Sequence, residues 1–293
     1  MADIVEYDSI PVDFKFRLHQ GTPACPGGQI RMVALSLIYR VVVCAVGRRF
    51  GKTQAAKFAI YEHYRRCKGR TFRAAYCGPT YARVKPEYDE FKTLFKGMIE
   101  KSSDTELWVK FKPTLSTHGH VVEGGRVDFW SLKEHDNLRG AKLDFFVIDE
   151  CSEVAEEAFT ATLRPMTLDT KGHALLIGTP RRVGIGFTWF RREFHNGFDP
   201  ELKAKKRYAC MQGPSEGNPF LPTEEIQELR AEFPDPLSRR EELNAEFLTD
   251  VGAVFNRINE AFVLPFNQSG EVYTSETLYE DIGGGPKIGP PRS

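Results

Sequence analysis

The chain has no surplus of charge, no paired cysteines and no long apolar run. Its 293 residues carry 40 lysines and arginines against 40 aspartates and glutamates, a formal net charge of zero. A molecule-wide attractive field for a polyanion is thereby excluded, and any grip on nucleic acid must come from local patches. Three such patches are visible: His63-Tyr64-Arg65-Arg66-Cys67-Lys68-Gly69-Arg70, Arg181-Arg182 with Arg191-Arg192, and Lys203-Ala204-Lys205-Lys206-Arg207. Each also reads as a solvated helix end or loop, since helix C-termini favour cations. The six cysteines, Cys25, Cys44, Cys67, Cys77, Cys151 and Cys210, contain no C-x-x-C pair. That spacing argues against zinc and against a disulfide framework, and makes them buried small residues. No apolar stretch approaches the roughly 20 residues that cross a bilayer. The start, Met-Ala-Asp-Ile-Val-Glu, does not read as a signal peptide, so the expectation is a cytosolic protein with no membrane contact. No internal repeat is visible.

What is present describes a globular α/β chain. Apolar residues make up 41% and charged residues 27%, enough for one large domain or a domain with a small companion. Strand patterns fall at 41–45, 72–77, 126–130, 145–148 and 174–177, with helical patterns at 52–67, 81–95, 152–163 and 187–194 between and after them. Such alternation predicts a mainly parallel sheet covered on both faces. After residue 200 the texture changes: Gly213-Pro214, Asn218-Pro219 and Pro234-Asp235-Pro236 separate two short helical patterns, 223–232 and 237–246. We therefore expect a core at 1–200, a helical lid or linker at 201–255, and a Gly/Pro-rich tether at 256–293.

The most informative segment is Gly47-Arg48-Arg49-Phe50-Gly51-Lys52-Thr53, between the apolar run Val41 to Val46 and the helical Gln54-Ala55-Ala56-Lys57. A buried strand feeding a glycine-bearing turn and then a helix aims backbone N–H groups and a positive dipole end at one place, which suits phosphate. Lys52 would reach β- and γ-phosphates and Thr53 would hold Mg²⁺, so the chemistry implied is phosphoryl transfer from a nucleoside triphosphate. The general pattern G-x-x-x-x-G-K-[ST] wants its first glycine at Val46, whereas this chain has Gly47.

A second apolar strand, Asp144-Phe145-Phe146-Val147-Ile148, ends in Asp149-Glu150. A carboxylate at the tip of a strand adjacent to that of the phosphate loop can orient Mg²⁺, the role expected of Asp149, and Glu150 would polarise the attacking water as general base. Thr179, after Ala174-Leu175-Leu176-Ile177-Gly178, is the candidate for sensing the γ-phosphate. Arg139 precedes the Asp149 strand, and at about 3.3 Å per residue it should lie roughly 20 Å from the acidic tip. It is therefore a candidate arginine finger acting in trans on a neighbour's nucleotide, with Arg48 the competing finger in cis.

Together these residues resemble the ATPase domain of bacteriophage large terminase subunits. The matching pieces are the loop 47–53, Cys77-Gly78-Pro79-Thr80-Tyr81, Asp136-Asn137-Leu138-Arg139-Gly140 running into Val147-Ile148-Asp149-Glu150, Ile177-Gly178-Thr179-Pro180 and Ala245-Glu246-Phe247-Leu248. The resemblance spans roughly residues 25 to 255. It implies a P-loop NTPase fold of the ASCE type, a three-layer sandwich with a mainly parallel central sheet and a small helical lid, and it implies ATP and Mg²⁺ as cofactors. It further implies that Gln29 reads adenine, that Gly47, Arg48, Arg49, Phe50, Gly51, Lys52, Thr53, Gln54 and Thr179 line the nucleotide, and that Thr53 and Asp149 hold the metal. The family's partners would be double-stranded DNA, a portal protein and a small terminase subunit. Its members act in the host cytoplasm, docked at the portal vertex of a procapsid as a ring, expected to be a pentamer. Family members usually continue into an RNase H-like nuclease domain, for which too little chain remains after Val254-Phe255, so no DNA cleavage is expected. The function expected is ATP-driven translocation of viral DNA. The rivals are a nucleotide-dependent interaction module with little turnover, and a helicase-like remodeler.

Overall fold

A computed structural model describes residues 18–67, 70–115, 121–138, 140–181 and 188–248. Among them the strands are β1 (Val41–Val46), β2 (Phe72–Gly78), β3 (Ile99–Ser103), β4 (Trp108–Phe111), β5 (Thr114–Leu115), β6 (Val121–Val122), β7 (Gly125–Ser131), β8 (Phe145–Ile148), β9 (His173–Gly178) and β10 (Tyr208–Gly213). The helices are α1 (Gly28–Ile38), α2 (Lys52–Arg66), α3 (Tyr81–Leu94), α4 (Arg164–Met166), α5 (Trp189–Asn196), α6 (Pro200–Ala204), α7 (Thr223–Glu232) and α8 (Pro236–Glu242). The main sheet has eight strands in the order β10-β1-β9-β8-β2-β7-β4-β3. Pairing is parallel from β10 to β7 and antiparallel at the β7-β4-β3 edge. Strands β5 and β6 form a separate small ribbon.

The continuous apolar run of β1 is buried at every position, as a central parallel strand requires. Its side chains alternate between two cores. Val42, Cys44 and Val46 pack with Phe58, Tyr61 and Tyr64 of α2 and with Tyr88, Phe91 and Phe95 in and after α3. Val41, Val43 and Ala45 pack on the other face with Phe159, Leu163, Trp189 and Phe190. This period-two split is what makes the molecule a three-layer α/β sandwich.

The expectations and the structure differ at several places. The strand carrying Asp149 is not adjacent to the phosphate-loop strand: β9 lies between β1 and β8, bonded to both. Hydrogen-bonded order is set by non-local pairing, which local patterning does not encode. The sheet also runs past the boundary expected at residue 200, because β10 pairs in parallel with β1 from Val41↔Tyr208 to Val46↔Gly213. Helix α1 and the β3-β4 hairpin are not among the expected elements. The helix expected at 152–163 is a 3-10 turn, Cys151–Glu153, followed by a π-helix, Ala158–Leu163. Helix α7 matches its pattern, whereas α8 starts at Pro236, capped by the Asp235 carboxylate on Leu237 N and Ser238 N, and stops at Glu242. All six cysteines are free; five are buried and Cys210 is half-buried. No described helix is long and apolar enough to cross a membrane. Arg139 and the segment from residue 249 onward lie outside the described residues.

Candidate functional site

The loop between β1 and α2 owes its shape to three backbone demands. Val46 is the last residue of β1 and fully buried, which is why the first glycine of the motif falls one position later. At Gly47 a Cβ would come 2.4 Å from Leu243 O and 2.7 Å from Ser215 Oγ, so a side chain is excluded there by the segment following β10. Arg49 then takes φ 57° and Gly51 φ 91°, the left-handed geometry that turns the chain into α2. Phe50 is buried and pins the loop to the core.

Neighbouring segments hold the loop's carbonyls. His19 Nε2 lies 2.9 Å from Phe50 O, Ser215 Oγ donates to Arg48 O at 2.7 Å and Asn218 Nδ2 donates to Arg49 O at 2.7 Å. Gln29, near the start of α1, donates from Nε2 to Gly51 O at 2.6 Å and accepts the His19 N–H at 2.9 Å. With those bonds made, its carboxamide keeps one free donor and one free acceptor position. Gln54 reaches the Glu90 carboxylate on α3, which also pairs with the fully buried Lys57 ammonium.

The acidic pair converges on the head of α2. Lys52 Nζ lies 2.8 Å from Glu150 Oε1. Thr53 Oγ1 donates to Asp149 Oδ2 at 3.0 Å, Tyr76 Oη donates to the same oxygen at 2.5 Å, and Glu150 N–H donates to Oδ1 at 2.9 Å. Burial pushes the Asp149 carboxyl above its usual range despite the opposing Lys52 ammonium. Burial works against the Lys52 charge, yet Asp149 and Glu150 outweigh it and raise the lysine pKa. Glu150 itself sits at φ 54°, a conformation that costs a non-glycine residue about 1–3 kcal/mol and is characteristic of functional positions.

Because β9 separates β1 from β8, Thr179 at its tip lies between the two halves of the site. Its Oγ1 donates to Val46 O at 3.1 Å, and its own carbonyl accepts from Ser152 Oγ at 2.5 Å. Arg48 points the other way, toward the helical segment: Nε pairs with Glu242 Oε2 at 2.7 Å, its N–H donates to Glu242 O at 2.8 Å, and the guanidinium lies 5.3 Å from the Phe233 ring centroid.

Sequence reasoning identifies the loop, Lys52, Thr53, Asp149, Glu150 and Thr179, all of which meet here. It misses His19, Tyr76, Ser215, Asn218 and Glu242. Tyr76 lies inside a recognised strand, but only tertiary packing reveals that its hydroxyl ends on Asp149. The arrangement fits a divalent cation: a hydroxyl and a carboxylate, both hard oxygen donors, meet at one spot at the head of α2. Among the described residues no cluster of three or more His, Cys, Asp or Glu side chains could hold a metal alone.

Residues 43–262 match the family model described as terminase large subunit, T4likevirus-type, N-terminal. A terminase large subunit from Thermus virus P23-45 is 25% identical over 274 residues, covering 81% of this chain and 53% of its own length; the chain thus spans about half of that relative. The large terminase ATPase domain of Thermus phage P74-26 superposes with a TM-score of 0.56 at 22% identity, covering 75% of this chain and 97% of its own. A large terminase from a thermophilic bacteriophage, in complex with ADP, gives a TM-score of 0.59 at 12% identity, covering 75% of this chain and 53% of its own.

Proposed function

Because the chain belongs to the family of terminase large subunit N-terminal domains, we propose that it is an ATP-hydrolysing motor domain that drives double-stranded viral DNA into a procapsid. The observation that carries this reading is the convergence of Lys52 on Glu150 and of Thr53 on Asp149 at 2.8 and 3.0 Å. Loop N–H groups and the positive end of α2 cradle the phosphates. Lys52 exchanges Glu150 for β- and γ-phosphate oxygens. Glu150, released, takes a proton from water while that water's oxygen bonds to the γ-phosphorus; the bond to the β–γ bridging oxygen breaks, leaving ADP and phosphate. Thr53 and Asp149 are the residues that would hold Mg²⁺, which when bound neutralises charge on the β- and γ-oxygens.

The free donor and acceptor of the Gln29 carboxamide are the pair that adenine N6 and N7 require. Thr179 relays the state of the γ-phosphate from β9 to β1. Residues 214–248, with α7 and α8, act as the lid, and the Arg48–Glu242 pair ties that lid to the phosphate loop. Arg139 acts in trans within a homo-oligomeric ring, which we expect to be a pentamer docked on a portal protein at the procapsid vertex in the host cytoplasm and supplied with DNA by a small terminase subunit. Arg48 takes the finger role in cis only if its pair with Glu242 opens.

The test is ATP binding and phosphate release by the chain and by Glu150→Ala. Retained Mg-ATP binding with release abolished is expected, and unchanged hydrolysis would remove Glu150 as general base. Intact ATP binding with no turnover by the unmodified chain at any concentration favours a nucleotide-gated interaction module instead.

A further inference from the structure

Phe220 is a large apolar side chain with 61% of its surface exposed, yet its backbone is tied to the phosphate loop. Its N–H donates to Asn218 Oδ1 at 2.9 Å, and Asn218 Nδ2 donates to Arg49 O at 2.7 Å. One asparagine side chain thus fixes the position of the phenylalanine relative to the loop. The ring stands edge-on to His19, with centroids 6.1 Å apart and planes at 80°. His19 is itself edge-on to Phe50, at 5.1 Å and 77°, and is bonded to Phe50 O and Gln29 Oε1. Burial lowers the His19 pKa, so the imidazole is neutral near pH 7. Phe220, His19 and Gln29 therefore form one connected flank of the loop, two rings and a carboxamide, uncharged where the loop itself is cationic.

An exposed aromatic ring fixed beside a phosphate loop offers a face that the ring of a bound ligand can cover. A triphosphate seated on residues 47–53 carries its own candidate cover, because the sugar and base must extend from the loop toward a flank. Every base has a π-face, and purines offer the larger one.

We propose that Phe220 is the stacking platform for the purine ring of the nucleoside triphosphate. This rests on the reading of residues 47–53 as a triphosphate site. It assigns nucleobase recognition to two elements remote in sequence, the Gln29 carboxamide for hydrogen bonding and the Phe220 ring for the face. The ring explains affinity and purine preference, and the amide chooses among purines.

Calorimetric titration of the chain with ATP, UTP and inorganic tripolyphosphate, each with Mg²⁺, separates base from phosphate recognition. Phe220→Ala should weaken ATP binding by about 5- to 160-fold, the range that aromatic base stacking supplies. It should narrow the ATP-to-UTP preference and leave tripolyphosphate affinity within twofold, while Phe220→Trp should retain ATP affinity. Equal weakening of ATP and tripolyphosphate would reduce Phe220 to a scaffold for the loop. Unchanged ATP affinity in Phe220→Ala would assign the ring to a surface unconnected with the nucleotide. Failure of the unmodified chain to bind tripolyphosphate would instead strike the triphosphate reading itself, and the base platform with it.

Discussion

Lys52 and Glu150 are bonded to each other, Nζ to Oε1 at 2.8 Å, both largely buried at the mouth of the phosphate loop. The residue expected to bind phosphate and the residue expected to activate water therefore neutralise one another, and nucleotide must compete with Glu150 for the ammonium. Removing the competitor has a definite consequence. Glu150→Gln should tighten Mg-ATP binding severalfold while lowering turnover by about 10²–10⁴-fold, the usual scale of general-base loss. Lys52→Ala should abolish binding. Calorimetry and a phosphate-release assay measure both.

Tyr76 Oη is one of two side-chain hydroxyls donating to Asp149 Oδ2, and the tyrosine is itself buried. Tyr76→Phe removes a hydrogen bond to a buried carboxylate, worth about 1.5–3 kcal/mol. Asp149 should then resist ionisation further, and the Mg²⁺ concentration needed for half-maximal nucleotide binding should rise, most strongly at low pH. A Mg²⁺ titration of fluorescent-nucleotide binding at two pH values checks this; an unshifted midpoint refutes it.

The Arg48–Glu242 pair joins the loop to α8 with one partner half exposed, at 51% and 19% side-chain exposure. Its own contribution to stability should be small, about 0.5–1 kcal/mol in a double-mutant cycle of Arg48→Ala and Glu242→Ala by denaturant unfolding. If the pair transmits nucleotide state to the lid, the same cycle on steady-state ATPase rates should be strongly non-additive. Additive rate effects would mean that the contact carries no coupling.

Three histidines, the buried His19 and the half-buried His63 and His173, have their pKa pushed below 6.5: His63 by desolvation and then by His173, and His173 and His19 by desolvation. His63 stacks on Phe145 at 3.9 Å, which shields one face of its ring from solvent. The unfolded chain takes up protons first as pH falls, so this contribution is complete above pH 6.5 and is lost progressively below it. The Tm should fall between pH 7 and pH 5, and His63→Phe should flatten that slope. A Tm that rises on acidification to pH 5 would contradict the assignment.

For Arg139 the expectation comes from sequence alone. If it acts across a subunit interface, specific ATPase activity should rise with protein concentration, and mixing inactive Arg139→Ala with inactive Glu150→Ala should restore part of it. A concentration-independent rate and no recovery on mixing would place the arginine elsewhere.

Several of these features are legible in the amino-acid order itself. Val41–Val46 has to be a buried strand because its run is apolar at every position, and Gly47-x-x-x-Gly51-Lys52-Thr53 needs a glycine turn opening a helix. Asp149-Glu150 stands out as an acidic pair closing a second apolar strand. Strand neighbours are not legible: local pattern suggests that the Asp149 strand lies beside β1, and the chain inserts β9 between them. Strand β10 escapes a local reading because Tyr208–Gly213 lies beyond a change in composition, and only its register with β1 makes it part of the sheet.

The sequence by itself determined the glycine-bearing loop with Lys52 and Thr53 and the acidic pair Asp149-Glu150, each at the end of an apolar strand, because those demands are local: residue type, glycine conformation and two short periodicities. The tertiary structure alone decided that Tyr76 grips Asp149, that Glu242 holds Arg48, that Asn218 anchors Phe220 beside the loop, and that Thr179 stands between the two halves of the site. Each of these depends on which segments distant in the chain come to lie side by side, and that outcome is fixed by the packing of the whole core, which no short window of residues contains.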